Sequence, residues 1–295
     1  MTSRKLKFWG WGFEGTLLTA NEIALLEGNY AKPLGMSGFQ ATPAPKAEEI
    51  SLRKPRLEIP SSLQNFCTTD HYERLLHSYG KSFFDSARAF AREFSNPPDV
   101  IALPRNEQDI VDALDWCGRE NAVAIPFGGG SSVVGGIEPP SGNYADRPVV
   151  TIDLRNLNQV LEIDETSQCA RIQGGMFGPA LEAVLKTKGL TLRHLPQSFE
   201  FSTLGGWIVT RGGGHYATLY THIDDLVESV RAAFHRWGNT LIAQPHVRPS
   251  LLVAGGPHFA RKYLPAPAVD HQAEGQERHF VHRLLEQEAE VLLGA

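Results

Sequence analysis

The sequence predicts an α+β fold preceded by an N-terminal helical extension. Strand and helix patterns alternate from residue 100 to about residue 192, and the strands differ in spacing, which is typical of this fold class. Two glycine-rich stretches, residues 126–136 and 197–214, lie within this region and just after it. Apolar residues at steps of three and four between residues 69 and 94 predict the helices of the extension.

The composition is typical of a soluble globular protein. The chain has 295 residues, of which 42% are hydrophobic and 21% charged, and its net charge of -5 gives no electrostatic reason to expect a nucleic-acid partner. No run approaches the roughly 18 apolar residues of a membrane span, and no signal peptide opens the chain. Cys67, Cys117 and Cys169 are scattered, which argues against a zinc site or disulfides and favours a reducing compartment. We therefore expect a cytoplasmic protein.

Residues 1–95 are predicted to form an extension that contains a strand or turn, a loop and then helices. Aromatic residues alternate with glycine at residues 9–13, which favours a packed turn or strand, and prolines crowd residues 32–62, which favours a loop. The helical pattern of residues 69–94 has Gly80 at a break between two helices. Its apolar stripe is more typical of a core than of a cofactor site. The stripe contains Tyr72, Leu75, Leu76, Tyr79, Phe83, Phe84, Ala87 and Phe90.

A strand, a helix, a second strand and a glycine-rich loop follow one another in residues 100–136. Asn106 is a good N-cap for the helix, whose first turn is acidic. The second strand, at residues 123–126, is apolar and β-branched and runs directly into three glycines. Ligands often bind beyond the carboxyl ends of strands in such units.

The loop at residues 126–132 suits a diphosphate that is bound by the backbone. Three successive glycines remove the Cβ penalty for unusual dihedral angles, so that several N–H groups can converge on one anion, and two serines add hydroxyl donors. The loop matches neither of the better-known phosphate motifs. Gly136 stands where the ATPase-type loop needs lysine, and Val133 occupies the third glycine position of the dinucleotide fingerprint. A tight structural turn is the alternative reading.

The second glycine-rich stretch, residues 197–214, is also rich in serine and threonine. Ser202 and Thr203 could donate to the heteroatoms of a flat ligand, and the glycines would let backbone approach it. A second loop of this kind is difficult to explain as a turn alone, so the pair predicts a cofactor site. Between the two loops lie predicted strands at residues 149–154, 159–163 and 169–173, and a helix that follows Gly175.

These motifs in combination resemble the flavin-binding domain of the vanillyl-alcohol-oxidase superfamily. The narrower resemblance is to the alkylglycerone-phosphate synthase family of ether-lipid synthesis, and it covers most of residues 7–233. It implies a two-subdomain PCMH-type FAD-binding domain at residues 96–233. The narrow match is carried by Trp-Gly-Trp-Gly at 9–12, Asp-Val-Ile at 99–101, Glu-Phe-Ser-Thr at 200–203, Gly-Gly-Trp at 205–207, Tyr220, and Ile-Asp-Asp-Leu-Val at 223–227.

The resemblance implies that the chain binds FAD through residues of both loops. The diphosphate would lie on Pro126, Phe127, Gly128, Gly129, Gly130, Ser131 and Ser132. The rest of the cofactor would contact Gln197, Ser198, Phe199, Glu200, Phe201, Ser202, Thr203, Thr210, Arg211, Gly212 and Gly213. The family has a small polar residue where Gly213 stands, so one side-chain contact is lost. Relatives with covalent flavin often place a histidine in the first loop, and none occurs at residues 123–136, so noncovalent FAD is expected.

The function implied by the resemblance is exchange of the acyl group of acyl-dihydroxyacetone phosphate for a fatty alcohol, without net redox change of FAD. One alternative is an FAD-linked oxidase or dehydrogenase of a 2-hydroxy acid such as lactate or glycolate, because the same domain serves that chemistry. A non-catalytic flavin-binding fragment is the other. The family's catalytic and cap regions have no counterpart here, so no catalytic residue is assigned. A lipid-type substrate is expected only if the cap is supplied, and a homodimer is left open.

Residues 234–295 match the family poorly and are predicted to be a divergent tail. Residues 236–240 could form a hairpin turn, and residues 280–293 have apolar spacing that favours a helix. We hypothesise a change of reading frame near residues 234–244, which a comparison of the other frames of the DNA would test. His279 and His282 are three apart, but no carboxylate or cysteine completes a metal site, so none is expected.

Overall fold

The computed structural model describes residues 5–31, 33–36, 41–215, 217, 222–236, 239–243 and 285–292, and it has the mixed helix and sheet architecture predicted from the sequence. The helices are α1 (Ala20–Ala31), α2 (His71–Leu76), α3 (Phe83–Phe90), α4 (Glu107–Arg119), α5 (Gly178–Lys186) and α6 (Leu204–Val209). The strands are β1 (Cys67–Thr68), β2 (Val100–Ala102), β3 (Val123–Phe127), β4 (Val149–Asp153), β5 (Val160–Asp164), β6 (Cys169–Gln173), β7 (Val227–Arg236), β8 (Asn239–Ala243) and β9 (Leu285–Leu292).

The first sheet has the strand order β1-β2-β4-β3, and β2, β4 and β3 run parallel. Parallel strands need a crossover connection, which α4 provides between β2 and β3. The helix begins as predicted, because the side chain of Asn106 accepts a 2.9 Å hydrogen bond from the N–H of Asp109. Its apolar face packs on the sheet, with Ile110 and Trp116 fully buried. The loop after β3 therefore leaves the sheet at the carboxyl end of an edge strand.

The second sheet has the strand order β5-β6-β9-β7-β8, and its neighbouring strands pair antiparallel. The predicted hairpin is confirmed, because β7 and β8 pair from Arg236 and Asn239 onward. The helix predicted at residues 280–293 is wrong. Residues 285–292 form strand β9, which lies between β6 and β7 and satisfies the backbone groups of two strands that would otherwise be edges. His279 and His282, for which no metal site is expected, lie outside the described residues, and so does Tyr220.

The N-terminal extension packs as a third cluster built on Phe8, Leu75, Leu76 and Tyr79. Residues 6–13 form the predicted turn, in which the N–H of Lys7 donates to the carbonyl of Gly12 at 3.0 Å. Residues 77–82 separate α2 from α3, so the predicted break at Gly80 is confirmed.

Two features of the extension differ from the prediction. Phe83 and Phe84 are not core residues, since they are 82% and 75% exposed at the start of α3, which buries Asp85 and Ala89 instead. Helix α1 was not predicted, and it contributes no buried residue, so no core-facing pattern marks it. None of the described helices is long and apolar enough to cross a bilayer.

Candidate functional site

The two glycine-rich loops lie directly against each other. A Cβ atom on Gly129 would stand 1.9 Å from the carbonyl oxygen of Phe201, and one on Gly128 would stand 2.3 Å from Oγ1 of Thr203. Only glycine permits such an approach, because it has no Cβ. The structure therefore brings residues 126–132 and residues 197–203 together at the carboxyl end of β3.

The first loop presents a row of backbone N–H groups without acceptors. Within the described part of the chain, the hydrogen bonds include none donated by the N–H groups of residues 128–132. Gly129 and Gly130 are buried, and Gly130 has a φ of 72°, the left-handed conformation that glycine adopts without strain. Ser132 Oγ is engaged locally, since it accepts from the N–H of Gly136 at 3.1 Å. Backbone donors of this kind bind anions, so the loop fits the diphosphate of FAD.

The second loop uses its hydroxyl groups inside the protein. Ser202 Oγ accepts a 2.6 Å hydrogen bond from the indole N–H of Trp207 and donates to the carbonyl of Ser198 at 2.8 Å. Thr203 Oγ1 caps α6 by accepting from the N–H of Gly206 at 3.4 Å. Ser202 is 4% exposed and Thr203 is 1% exposed. The two side chains predicted to donate to a ligand thus hold the loop in shape, Ser202 by donating and accepting and Thr203 by accepting.

The start of α6 is fixed by a second pair of glycines that sequence reasoning did not assign to the site. The N–H of Gly205 donates to the carbonyl of Gly174 at 2.8 Å, just after β6. A Cβ on Gly175 would stand 1.8 Å from the carbonyl oxygen of Leu154, just after β4. Strands of both sheets therefore end beside α6. The signal available in the sequence was the Gly174-Gly175 pair itself, directly before a helix.

Residues 210–213 follow α6 and lie closer to solvent than the second loop. Arg211 is committed to an ion pair, in which its Nε and NH2 atoms donate to Oδ2 of the buried Asp224 at 2.9 and 2.8 Å. Thr210 Oγ1 donates to the carbonyl of Gly206 at 2.8 Å. Thr210, Arg211 and Gly213 are all exposed, so a ligand can reach them from outside.

A buried histidine with an unpaired nitrogen lies beside this segment. His194 is 3% exposed, its ring centroid is 5.0 Å from that of Trp207, and its Nε2 atom has no hydrogen-bond partner among the residues that the structure describes. Burial lowers the pKa of His194 to about 4, so the imidazole is neutral at pH 7. A Cβ on Gly212 would stand 3.8 Å from that nitrogen. Sequence reasoning did not single out His194, because nothing in its local pattern marks it as buried.

An ionic network lies beside the start of the first loop. The ring of Phe127, which precedes the glycines, lies 4.2 Å from the ring of His77, centroid to centroid. His77 Nε2 is 2.8 Å from Oδ2 of Asp153, and Arg155 bridges Asp153 to Glu73. Burial would raise the pKa of Asp153, but the hydrogen bond from His77 and the charge of Arg155 outweigh it and lower the pKa. The network is internally paired, which is typical of a structural role.

A metal centre is not formed by the described residues, among which no three histidine, cysteine or carboxylate side chains are grouped to hold an ion. The arrangement is that of a cofactor site built largely from backbone, in which two loops meet and side chains hold them in place.

Comparisons with known proteins match the chain to an FAD binding domain and to alkyldihydroxyacetonephosphate synthases. Residues 98–241 match the family model of an FAD binding domain. The alkyldihydroxyacetonephosphate synthase of Dictyostelium discoideum is 38% identical over 258 aligned residues, which cover 77% of this chain and 42% of the relative. That of Trypanosoma brucei brucei is 30% identical over 252 residues, covering 77% and 41%. A solved structure of an alkyldihydroxyacetonephosphate synthase superposes with a TM-score of 0.76 at 28% identity, covering 98% of this chain and 54% of that one. The chain thus spans about half, or less, of the length of these proteins.

Proposed function

Because the chain contains an FAD-binding domain related to that of the alkyldihydroxyacetonephosphate synthases, which are also called alkylglycerone-phosphate synthases, we propose that it binds FAD noncovalently between its two glycine-rich loops. The diphosphate lies on residues 126–132, and the remainder of the cofactor lies along residues 197–203 and 210–213. This assignment makes the N-terminal half of the domain the phosphate site and α6 the border of the ring site.

The observation that carries the proposal is the row of N–H groups at residues 128–132. Gly129 and Gly130 are buried, and their N–H groups have no acceptor among the described residues, which costs free energy that an anion at the loop would recover. Gly129 and Gly130 supply backbone donors to the phosphate oxygens, and the hydroxyl of Ser131 is a further donor. The contacts at Gly128 and Gly129 keep the second loop close enough to border the same ligand.

The second part of the site orients the cofactor chiefly through backbone. Ser202 positions the second loop rather than donating to FAD, because its buried hydroxyl both donates and accepts within the protein. Thr203 positions the start of α6 by accepting from the N–H of Gly206. Arg211 is held by Asp224, so its guanidinium has a fixed place at the border of the site. No histidine occurs at residues 123–136, which supports noncovalent attachment.

Retention of FAD by the purified chain tests this proposal. After incubation with FAD and desalting, we expect visible flavin absorbance at about one flavin per chain. Acid precipitation should then release all of the flavin into the supernatant, because none is covalently attached. A colourless folded protein would refute the binding proposal, and flavin that stays with the precipitate would refute noncovalent attachment.

We propose further that the domain serves exchange of an acyl group for a fatty alcohol on acyl-dihydroxyacetone phosphate. When bound, FAD supplies the reactive ring at which this exchange takes place without net redox change. The chain's own residues bind and orient the cofactor, and no described residue is assigned a proton transfer. The relation to the synthases, which covers 77% of this chain, favours this reaction over oxidation of a 2-hydroxy acid.

A two-arm assay of the FAD-loaded chain separates these reactions. In one arm, acyl-dihydroxyacetone phosphate and a labelled long-chain alcohol are supplied, and formation of labelled ether product supports the exchange. In the other arm, lactate or glycolate is supplied with an electron-accepting dye. Dye reduction without ether product would refute the exchange and favour the oxidase, and no turnover in either arm would favour the non-catalytic flavin-binding fragment.

A further inference from the structure

The segment between α2 and α3 touches both ends of the first cofactor loop. At the loop's start, the ring of His77 packs on Phe127 at 4.2 Å. At its end, the N–H of Lys81 donates to the carbonyl of Ser132 at 2.7 Å. A Cβ on Gly80 would stand 2.1 Å from that same carbonyl oxygen, so only a glycine fits there. This segment lies outside residues 98–241, which the FAD-binding family model matches.

The segment is in turn fixed to the N-terminal turn. Nζ of Lys81 donates to the carbonyl of Lys7 at 2.9 Å, and the indole N–H of Trp11 donates to the carbonyl of Lys81 at 3.1 Å. Lys81 is 8% exposed, so its long side chain is held rather than solvated. The ring of Trp11 also lies 5.9 Å from the ring of Phe201, in the second loop. One chain of contacts therefore runs from the second loop through the N-terminal turn to the first loop.

The residues that follow the first loop are tied to the same extension. Arg88 in α3 makes a bidentate contact with Glu138, at 2.6 and 2.9 Å. The side-chain amide of Asn96 donates to the carbonyls of Pro139 and Pro140 at 3.2 and 3.1 Å. Planar bidentate pairs fix geometry as well as charge. The extension and the residue that follows it therefore contact the loop before its glycines, at Phe127, and after them, from Ser132 onward.

We propose that residues 77–81 are a positioning element that holds the first loop in the conformation that binds the FAD diphosphate. Gly80 and Lys81 are its positioning residues, and Trp11 links it to the second loop. This inference rests on the proposed FAD site at residues 126–132. The N-terminal extension is then a working part of the cofactor site rather than an addition to it, although none of its residues touches the reacting atoms.

Alanine at Gly80 tests the proposal with one added methyl group. The variant Gly80→Ala must displace Ser132, because the new Cβ would meet the carbonyl oxygen and carbon of Ser132 at 2.1 and 3.0 Å. The matched control is Gly28→Ala in α1, where a Cβ meets nothing within 4 Å. Each variant is titrated with FAD by flavin fluorescence, and its thermal unfolding is followed without FAD. We expect Gly80→Ala to raise the dissociation constant of FAD about tenfold or more, and Gly28→Ala to leave it unchanged.

The outcomes separate this inference from the proposed function. If the unsubstituted chain folds and does not bind FAD, the proposed function fails. If it binds FAD and folded Gly80→Ala binds equally well, the positioning role is refuted. If Gly80→Ala does not fold, Trp11→Phe decides, because Trp11 is 40% exposed and its replacement removes the bond to Lys81 and alters the ring contact with Phe201. About threefold weaker FAD binding in Trp11→Phe supports the inference, and unchanged binding overturns it.

Discussion

Alanine at Gly129 tests whether the two loops must touch for FAD to bind. Its Cβ would stand 1.9 Å from the carbonyl oxygen of Phe201, whereas ordinary van der Waals contact begins at 3.4 Å, so the loops must separate by about 1.5 Å (3.4 − 1.9). Overpacking of this kind costs about 1–3 kcal/mol, which separation relieves. Closing the loops around FAD would restore the strain, so we expect the dissociation constant to rise about 5- to 150-fold.

The assay is a fluorescence titration of each variant with FAD, with thermal unfolding as the check on folding. Gly28→Ala is again the control, since its methyl group enters open space. In Gly129→Ala, the free energy of unfolding without FAD should fall by less than the free energy of FAD binding, because the unliganded loops are free to separate. A folded Gly129→Ala chain with unchanged affinity would show that the contact between the loops has no part in FAD binding.

Two ion pairs give further predictions. Burial would raise the pKa of Asp99, but hydrogen bonds from Arg53 and Arg56 lower it to about 2. A depressed pKa stabilises the fold above the unfolded value of 3.8, by about 2 kcal/mol, and this is lost as pH falls toward 2. Asp99→Asn should therefore lower the free energy of unfolding, measured with urea, by about 2 kcal/mol at pH 7 and by clearly less at pH 3. Arg211→Met should cost about 1–3 kcal/mol by leaving the buried carboxylate of Asp224 unpaired, whereas Arg211→Lys should restore part of it; equal stability of the two would contradict this.

The elements that sequence reasoning predicted correctly are those governed by local rules. The helix capped by Asn106 depends on a side chain three residues from its partner, and the hairpin at Arg236 and Asn239 on a short turn. Strands of mixed spacing around helices predicted the α+β class, which is confirmed. The relation to the synthase family is confirmed as well. It could be predicted because the family's motifs, although short, occur together in a fixed order.

The errors arose where tertiary contacts decide. Residues 285–292 satisfy helical spacing, yet Leu285, Ala289 and Val291 are also separated by even steps with glutamates between them, which suits a strand. Only the presence of β6 and β7 on either side decides between the two. Phe83 and Phe84 fitted an apolar stripe, but the cap at Ser82 begins the helix so that other residues face the core.

The contact between Gly80 and Ser132 was invisible to sequence reasoning for a similar reason. The glycine was assigned to a helix break, which is correct, but its lack of a side chain also serves a carbonyl group 52 residues away. Gly80 thus both separates two helices and leaves room for the carbonyl of Ser132, and a local sequence pattern reveals only the helix break. The contact of Gly175 is equally distant in sequence, because Leu154 directly follows strand β4 of the other sheet.

A site built from backbone responds to substitution differently from one built from side chains. The donors at residues 128–132 are N–H groups, which every residue type except proline possesses, so exchanging Ser131 for alanine removes one hydroxyl and leaves the row intact. A methyl group at Gly128 or Gly129 removes no donor, yet its carbon would stand only 2.3 or 1.9 Å from an atom of the second loop and would force the two loops apart. Affinity for FAD should therefore depend more on the lack of a Cβ atom at Gly128 and Gly129 than on the hydroxyl groups of the neighbouring serines. The buried hydroxyl of Ser202 also affects the site indirectly, because it holds the shape of the second loop, which the glycines allow to approach the first loop.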